Sequence, residues 1–362
     1  MKIAMRLVPA LVLSLLALTQ AQPAGELFVY GLSGPMGLLV DSEGNLWIVD
    51  SGMGGDRQLD VVNPETGEPI TAPFGMSSRV IRVAPDGSQE VVATLPSLSM
   101  GMEVSGGSRL AILDGRVYAT SGIWMAPFGG DPEPLMGTVV RIEPDGQVTE
   151  VASTYAFELA HNPDPNIVDS HPYGIAAGPD GMLYVADAGG NSVLRVDPNS
   201  GEVSLVAVLD GIPGPLPNPN RGGAMEADSV PTGVTVDAQG NAFVGLLPGF
   251  PFVPGSSKVV MISPSGEVSD FATDLTLTTD VQRGPDGSLY AVQIGVFTEE
   301  GPVPDSGRVV RLSDDGSAIE VLSGLSFPTA IAFTADGDAF VTVNGAGGPG
   351  GAVMRYAGLA AE

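Results

Sequence analysis

The sequence predicts an all-β fold, a six-bladed β-propeller of four-stranded antiparallel blades. Residues 171–209 contain four short apolar runs separated by turns rich in Gly, Pro, Asn and Asp, which is the pattern of a four-stranded meander. The same pattern recurs along the chain. Because such a sheet is apolar on both faces, it needs copies of itself on either side. The last copy lacks one strand, and one unmatched strand lies near the N-terminus.

The repeats align on the turn between their first and second strands. These turns are Glu43-Gly44, Asp114-Gly115, Asp180-Gly181, Gln239-Gly240, Asp286-Gly287 and Asp336-Gly337. The second strands follow directly, and the third strand carries a basic residue in most copies. The blades start near residues 35, 103, 171, 230, 278 and 327. We therefore expect residues 22–362 to form a single domain, and no segment has the pattern of an amphipathic helix.

The sixth repeat has only three strands before the chain ends. The apolar segment Glu26–Tyr30 has no partner of its own in the first repeat. If this segment joins the last blade, the ring closes without an open sheet edge.

The N-terminal segment has the composition of a secretory signal peptide, residues 1–21. Lys2 and Arg6 precede the apolar run 7–18, and small residues lead up to Ala21. We expect export, either to a periplasm or out of the cell. No other apolar run is long enough to span a bilayer. The mature chain is therefore expected to have no membrane span, and we expect a monomer.

Composition excludes several classes of partner and chemistry. The chain has no cysteine, which excludes disulfides and thiolate metal sites. Removing Lys2 and Arg6 takes the formal charge from −27 to −29. A charge of this sign argues against nucleic acid and anionic membranes as partners.

The turns and the longer connections are expected on opposite faces of the propeller. Connections from first to second and from third to fourth strands are short, and we call their side the short-turn face. All the long connections fall on the other side, the loop face: residues 51–77, 96–107, 122–136, 156–170, 211–229, 247–255 and 294–305. Long loops are usually functional, so we expect binding on the loop face.

Several stretches resemble known propellers. The recurring Pro-x-Gly-Val pattern resembles NHL-like and strictosidine-synthase-like propellers. Residues 185–198 (VADAGGNSVLRVDP), 230–259 and 284–295 (GPDGSLYAVQIG) resemble the ScyD/ScyE family of secreted propellers. The most specific motif is Gly249-Phe250-Pro251-Phe252. That family often has an acidic residue shortly before this motif, whereas Leu246 and Leu247 stand here. The resemblance implies an exported propeller and supplies no mechanism.

Two histidines flank one loop of the loop face. His171 directly precedes the first strand of the third repeat and His161 begins the loop. Either could bind a ligand, and His171 could act as a general base near the axis. The alternative is a hydrogen-bonded loop histidine. Tyr173, at the start of the same strand, is a further ligand-binding candidate.

Acidic residues offer two further candidates. Asp164 and Asp169 lie in the loop between the histidines, and oxygen ligands at such spacing suit Ca²⁺. Asp280 stands at the start of the fifth inner strand, where other repeats read Pro-x-Gly. It could orient a ligand or take part in catalysis, or simply bond neighbouring backbone.

Apolar and cationic side chains in the loops could also contact a ligand. Trp124 and the pair Phe250 and Phe252 could line an apolar pocket, or could fold inward and pack. Arg221 could bind an anionic group or form an ion pair.

We favour a role in binding a small molecule, or an envelope or extracellular protein, on the loop face. The first alternative is a lactonase-like hydrolase or lyase that uses His171 with Asp280 or a divalent cation. The second is a protein-binding scaffold without catalysis.

Overall fold

The computed structural model describes residues 22–63, 67–101, 103–165, 167–346 and 350–361. The predicted signal peptide, residues 1–21, lies outside the described residues. Among the described residues no helix has the length and apolar character needed to cross a membrane.

Strands make up most of the described chain, and they fall into six consecutive segments. The first segment contains β1 (Gly25–Leu32), β2 (Pro35–Val40), β3 (Leu46–Asp50), β4 (Arg57–Val62), β5 (Pro69–Val83), β6 (Gln89–Met100) and β7 (Glu103–Ser105). The second contains β8 (Gly107–Leu113), β9 (Arg116–Ser121), β10 (Trp124–Met125), β11 (Thr138–Ile142), β12 (Val148–Ser153), helix α1 (Thr154–His161) and β13 (Asp169–Ser170). The third contains β14 (Pro172–Ala177), β15 (Leu183–Asp187), β16 (Ser192–Val196), β17 (Val203–Val208), β18 (Ile212–Asn218) and β19 (Ala224–Ala227).

The remaining segments follow the same plan. The fourth contains β20 (Pro231–Val236), β21 (Ala242–Leu246), β22 (Ser257–Ile262) and β23 (Val268–Leu275). The fifth contains β24 (Thr278–Arg283), β25 (Leu289–Gln293), β26 (Phe297–Thr298), β27 (Gly301–Pro302), β28 (Gly307–Leu312) and β29 (Ala318–Leu325). The sixth contains β30 (Ile331–Phe333), β31 (Ala339–Val343) and β32 (Gly351–Tyr356).

Apart from β1, which belongs to the last sheet, the strands of each segment form one main antiparallel sheet. Five of these sheets have four strands: β12-β11-β9-β8, β14-β15-β16-β17, β20-β21-β22-β23, β24-β25-β28-β29 and β1-β32-β31-β30. The first sheet, β2-β3-β5-β6-β7, has six strands because β4 also pairs with β5. The predicted all-β class with repeated four-stranded sheets is confirmed and is consistent with a propeller.

The N-terminal strand belongs to the last sheet. β1 pairs with β32 from Gly25 opposite Tyr356 to Leu32 opposite Gly351. One edge strand of each sheet, which we call the inner strand, contacts the inner strands of the neighbouring sheets, including β2 with β30. The inner strands are β2, β8, β14, β20, β24 and β30.

One row of side chains recurs across every sheet. In the second strand the row holds a buried aromatic residue: Trp47, Tyr118, Tyr184, Phe243, Tyr290 and Phe340. Opposite it in the next strand stands Arg82, Arg141, Arg195, Met261, Arg311 and Arg355, respectively. The row explains the basic residue seen in most repeats, since an Arg can cover an aromatic face. Where Met261 replaces the Arg, Arg283 of the next sheet lies over Phe243, 5.4 Å from its ring centre.

The long connections contain more regular structure than the sequence indicated. β4 pairs with β5 from Arg57 opposite Phe74 to Val62 opposite Pro69, and β18 pairs with β19 within the predicted loop 211–229. The sequence showed no amphipathic helix pattern, yet the described residues include an α-helix, α1. α1 is only eight residues long, and its N-terminus is capped by Ser153, whose hydroxyl accepts a hydrogen bond from Ala156 N. A single short helix lacks the long 3.6-residue periodicity on which helix prediction depends.

Candidate functional site

The inner strands meet at one equivalent position near the axis. By strand register, the six residues at this position are Gly37, Arg109, Gly174, Gly233, Asp280 and Ala330. Four are Gly or Ala because there is no room for more. A Cβ on Gly174 would collide with the backbone oxygen of Thr232, and one on Gly233 would lie 2.5 Å from Asp280 Oδ1. The remaining two form a charged pair across the axis.

Arg109 links the inner strands of four sheets. Its Nη2 donates to the backbone oxygens of Thr279 (2.8 Å) and Thr329 (2.6 Å), and its Nη1 donates to Met36 O. The guanidinium lies 4.6 Å from the ring centre of Tyr173. With 3% of its surface exposed, Arg109 fills the middle of the axial space.

Asp280 is the partner of Arg109. Its Oδ1 lies 3.6 Å from Arg109 Nε, and its Oδ2 accepts from Ile331 N at 3.0 Å. Burial raises the pKa of Asp280, and the charge of Arg109 opposes that rise. The carboxylate is thus used within the fold, bonding backbone and one cation.

His171 lies on the loop-face side of this pair. Its backbone N–H donates to Asp187 Oδ1 at 2.7 Å, and its ring meets that of Tyr173 edge to face, with centres 5.9 Å apart. Burial lowers the pKa of His171 to about 4. The imidazole is therefore neutral at pH 7 and able to accept a proton.

Three carboxyl groups lie near one another at the end of β15, where Asp187 bonds the backbone of His171. Asp187, at the end of β15, accepts from Ser170 Oγ at 2.6 Å. Burial raises the pKa of Asp169 well above its ordinary value, and the carboxylates of Asp187 and Glu103 add to the rise. Burial also raises the pKa of Glu158 to about 8, with contributions from Asp187 and Asp164. We call Glu158, Asp169 and Asp187 the carboxyl cluster.

Two glycines make room for the carboxyl cluster. A Cβ on Gly189 would lie 2.5 Å from Asp169 Oδ1 and 2.9 Å from His171 N. A Cβ on Gly190 would lie 3.2 Å from Glu158 Oε2 and 3.4 Å from Ser192 Oγ. The buried atoms Asp169 Oδ1, Glu158 Oε1 and Ser192 Oγ have no hydrogen-bond partner. Unpaired carboxyl oxygens of this kind favour the protonated acid.

We expect Glu158→Gln to stabilise the protein at alkaline pH. The raised pKa means that the folded state keeps a proton that the unfolded state loses above about pH 4.5. Stability from this group is therefore complete below that pH and is lost as pH rises towards 8. At pH 8 the variant should gain about 2–4 kcal/mol over wild type, and near pH 4 almost nothing. Urea unfolding at both pH values measures the difference. The exposed Glu150→Gln should change neither, and an equal effect of Glu158→Gln at both pH values would contradict the prediction.

Two further candidates, Asp164 and Arg221, lie in different connections of the loop face and belong to one ion-pair network. Arg221 Nη2 lies 3.0 Å from Asp164 Oδ2, and Arg221 Nε lies 2.7 Å from Asp228 Oδ1. Asp164 Oδ2 also accepts from Asn191 Nδ2 at 3.0 Å. Within the described ranges, no group of three or more His, Cys, Asp or Glu side chains is arranged to hold a metal ion. Calcium binding by Asp164 and Asp169 stays a prediction.

The side chains of His161 and Trp124 make their ring contacts with residues other than His171, although Trp124 pairs with Ser170 in the β10–β13 ladder. His161 is exposed at the end of α1, where its ring stacks on Phe157 with centres 4.5 Å apart. Trp124 is 4% exposed and packs edge to face on Phe128, inside an apolar cluster with Tyr155.

Phe250 and Phe252 begin a run of aromatic rings. Phe250 is 73% exposed. Ring centres are 6.0 Å apart from Phe250 to Phe252, 5.6 Å from Phe252 to Phe297 and 6.4 Å from Phe297 to Phe327. This aromatic run joins the long connections of the fourth and fifth sheets to the segment that leads into the sixth.

The structure brings together some residues that the sequence did not single out. Sequence reasoning missed Arg109 and the role of Glu158 in the cluster. Arg109 had one available signal: it replaces the Gly of the Pro-x-Gly pattern, as Asp280 does. Opposite charges at equivalent positions of two repeats indicate a pair.

The strand order and inner-strand contacts define the class of protein, a β-propeller. No family model matches the sequence, and neither does any curated protein. Solved structures of similar fold include a proposed oxidoreductase (glucose dehydrogenase) from Thermus thermophilus, with 19% identity over 92% of this chain and 99% of that chain and a TM-score of 0.54.

Two further similar structures are a calcium-binding protein and a proposed lactonase. Regucalcin from Agrobacterium tumefaciens has 14% identity over 92% of this chain and 94% of its own, with a TM-score of 0.52. A proposed gluconolactonase has 14% identity over 93% of each chain, with a TM-score of 0.52. At these identities the similarity establishes the fold alone. Membership of the ScyD/ScyE family stays a prediction.

Proposed function

We propose that the chain is an exported six-bladed propeller that hydrolyses a small ester or lactone on its loop face. The contacts of β2 with β30 and the pairing of β1 with β32 support a closed ring. The N-terminal segment, with Lys2 and Arg6 before an apolar run, supports export. The name of one structure of similar fold, a proposed gluconolactonase, favours this reading over binding alone.

One observation supports the chemistry most: a neutral imidazole and carboxyl groups with raised pKa values lie in one part of the loop face, where Asp187 accepts from the backbone N–H of His171. His171 has a pKa of about 4, whereas burial raises the pKa values of Asp169 and Glu158. Environments that push neighbouring pKa values apart in this way provide a base and an acid at the same pH. Asp187 holds the backbone at His171, and the Tyr173 ring rests on Arg109.

In the proposed reaction, water attacks the lactone carbonyl carbon while His171 takes the proton from that water. The bond between the carbonyl carbon and the ring oxygen breaks, and Asp169 donates its proton to that oxygen. A proton then passes from His171 to Asp169, which restores both groups and leaves a hydroxy acid.

The test is the pH dependence of lactone hydrolysis by the mature protein, residues 22–362. The rate should fall below about pH 4, where His171 becomes protonated, and should fall again at alkaline pH, where Asp169, whose pKa burial raises, loses its proton. A panel of five- and six-membered lactones, followed by pH indicator, measures it. Absence of hydrolysis across the panel, or a rate that keeps rising beyond pH 9, would refute the proposal.

A second candidate is binding without catalysis, of a small molecule or of an envelope or extracellular protein. The aromatic run favours it, because the exposed Phe250 continues into half-buried rings, and exposed apolar side chains of this kind are typical of binding surfaces. It is also the role that fits the predicted ScyD/ScyE resemblance. A protein that hydrolyses no lactone but binds aromatic compounds at Phe250 would fit this candidate.

A further inference from the structure

The axial space contains a cavity on the short-turn face, opposite the proposed site. It has a volume of about 430 Å³. Its lining comes from the second halves of all six inner strands and includes Asp41 and Ser42, which follow β2. Arg109 and Asp280 precede the lining residues Ala111 and Gln282 by two residues on their strands, so the pair lies on the loop-face side of the cavity. This pair therefore separates the cavity from His171.

Apolar and polar side chains share the wall of the cavity. The inner-strand residues opposite the recurring aromatic row all line it: Leu39, Ala111, Ala176, Thr235, Gln282 and Ala332. Each is backed by a buried ring, from Trp47 to Phe340. Small side chains at four of these positions leave the axial space open.

The charges near the cavity are already engaged by the protein. Arg109 is bound by backbone oxygens and Asp280. The two carboxylate oxygens of Asp41 accept from Asn45 and from Trp47 Nε1, at 2.8–2.9 Å. Arg283 donates to Gly287 O and lies over Phe243. The two charged lining residues, Asp41 and Arg283, are thus each held by neutral groups of the protein.

Two polar side chains on neighbouring strands remain available. Gln282 donates from Nε2 to Asp280 Oδ1 at 3.3 Å, which turns its Oε1 away from that carboxylate. Thr235 stands at the same level on β20 and lines the cavity beside it.

We propose that this axial cavity binds a small, uncharged molecule that has an apolar body and one hydrogen-bonding group. The volume lies within the range of roughly 300–1,000 Å³ typical of small-molecule sites. The apolar body would lie against Leu39, Ala176 and Ala332, and its polar group would meet Gln282 and Thr235. The proposal is independent of catalysis on the loop face.

The probe is N-phenyl-1-naphthylamine, a neutral two-ring amine whose single N–H can donate to Gln282 Oε1. Titration of the full mature chain should give saturable fluorescence enhancement with one site per chain. In a Trp124→Phe background, energy transfer from Trp47 should accompany binding, since Trp47 bonds the lining residue Asp41.

Filling the cavity should abolish binding. Ala176→Leu and, separately, Thr235→Leu should weaken probe affinity at least tenfold, with the thermal midpoint showing that each variant is folded. Ala318→Leu places the same bulk on an exposed outer strand and should leave affinity unchanged. The proposal is overturned if wild type shows no saturable binding or if both folded cavity variants bind like wild type. Loss of binding in Phe250→Ala would also overturn it by placing the probe on the loop face.

Discussion

Arg109→Met should be among the most destabilising single substitutions in this protein. The change keeps an apolar stem but removes the charge beside Asp280 and the donors to Thr279 O and Thr329 O. Removing one member of a buried ion pair leaves the other uncompensated, at a cost of about 3–5 kcal/mol. Denaturant unfolding at pH 7 measures the loss.

Two further variants test whether the loss comes from the axial ion pair or from removing an arginine in general. Arg82 pairs with Glu90 at 2.9 Å on the surface, with both side chains well exposed. Arg82→Met should therefore cost no more than about 1 kcal/mol. Arg109→Met combined with Asp280→Asn should be less destabilised than the sum of the single variants, because no charge is left buried. Additive losses would mean that the pair contributes nothing as a pair.

His171→Gln should reduce kcat/KM for lactone hydrolysis by about 100-fold or more, the usual contribution of a general base. Glutamine keeps the backbone N–H that donates to Asp187 and has a similar reach, so folding should be preserved. The remaining activity should also lose its acid limb near pH 4, since that limb belongs to the imidazole.

His161→Gln is the matched control, because His161 lies exposed at the end of α1 and stacks only on Phe157. It should leave kcat/KM unchanged. If both variants keep full activity, or if His171→Gln lowers the rate without altering the pH profile, His171 is not the base. Catalysis would then have to be sought elsewhere on the loop face.

Much of the fold was predictable because its signals are local. Alternating apolar runs between Gly-containing turns lie within about forty residues of each other in each repeat, and strand pairing follows from that spacing. Asp50 and Asp187, which end the second strands of their sheets, bond adjacent loop amides: Asp50 accepts from Gly34 N and Asp187 from His171 N. The regular structure inside the long connections was missed, because short hairpins and one short helix leave weak periodicity.

By itself, the sequence determined the repeat, the four-strand unit and the odd N-terminal strand, since each depends on neighbouring residues. Only the tertiary structure decided which distant residues share a site. Arg109 and Asp280 meet because they occupy the same register on different inner strands, and Glu158 joins Asp169 because α1 packs against β13. The axial cavity likewise belongs to no single repeat. The pKa values of His171 and Glu158 depend on burial, which arises only when the sheets and their connections pack together.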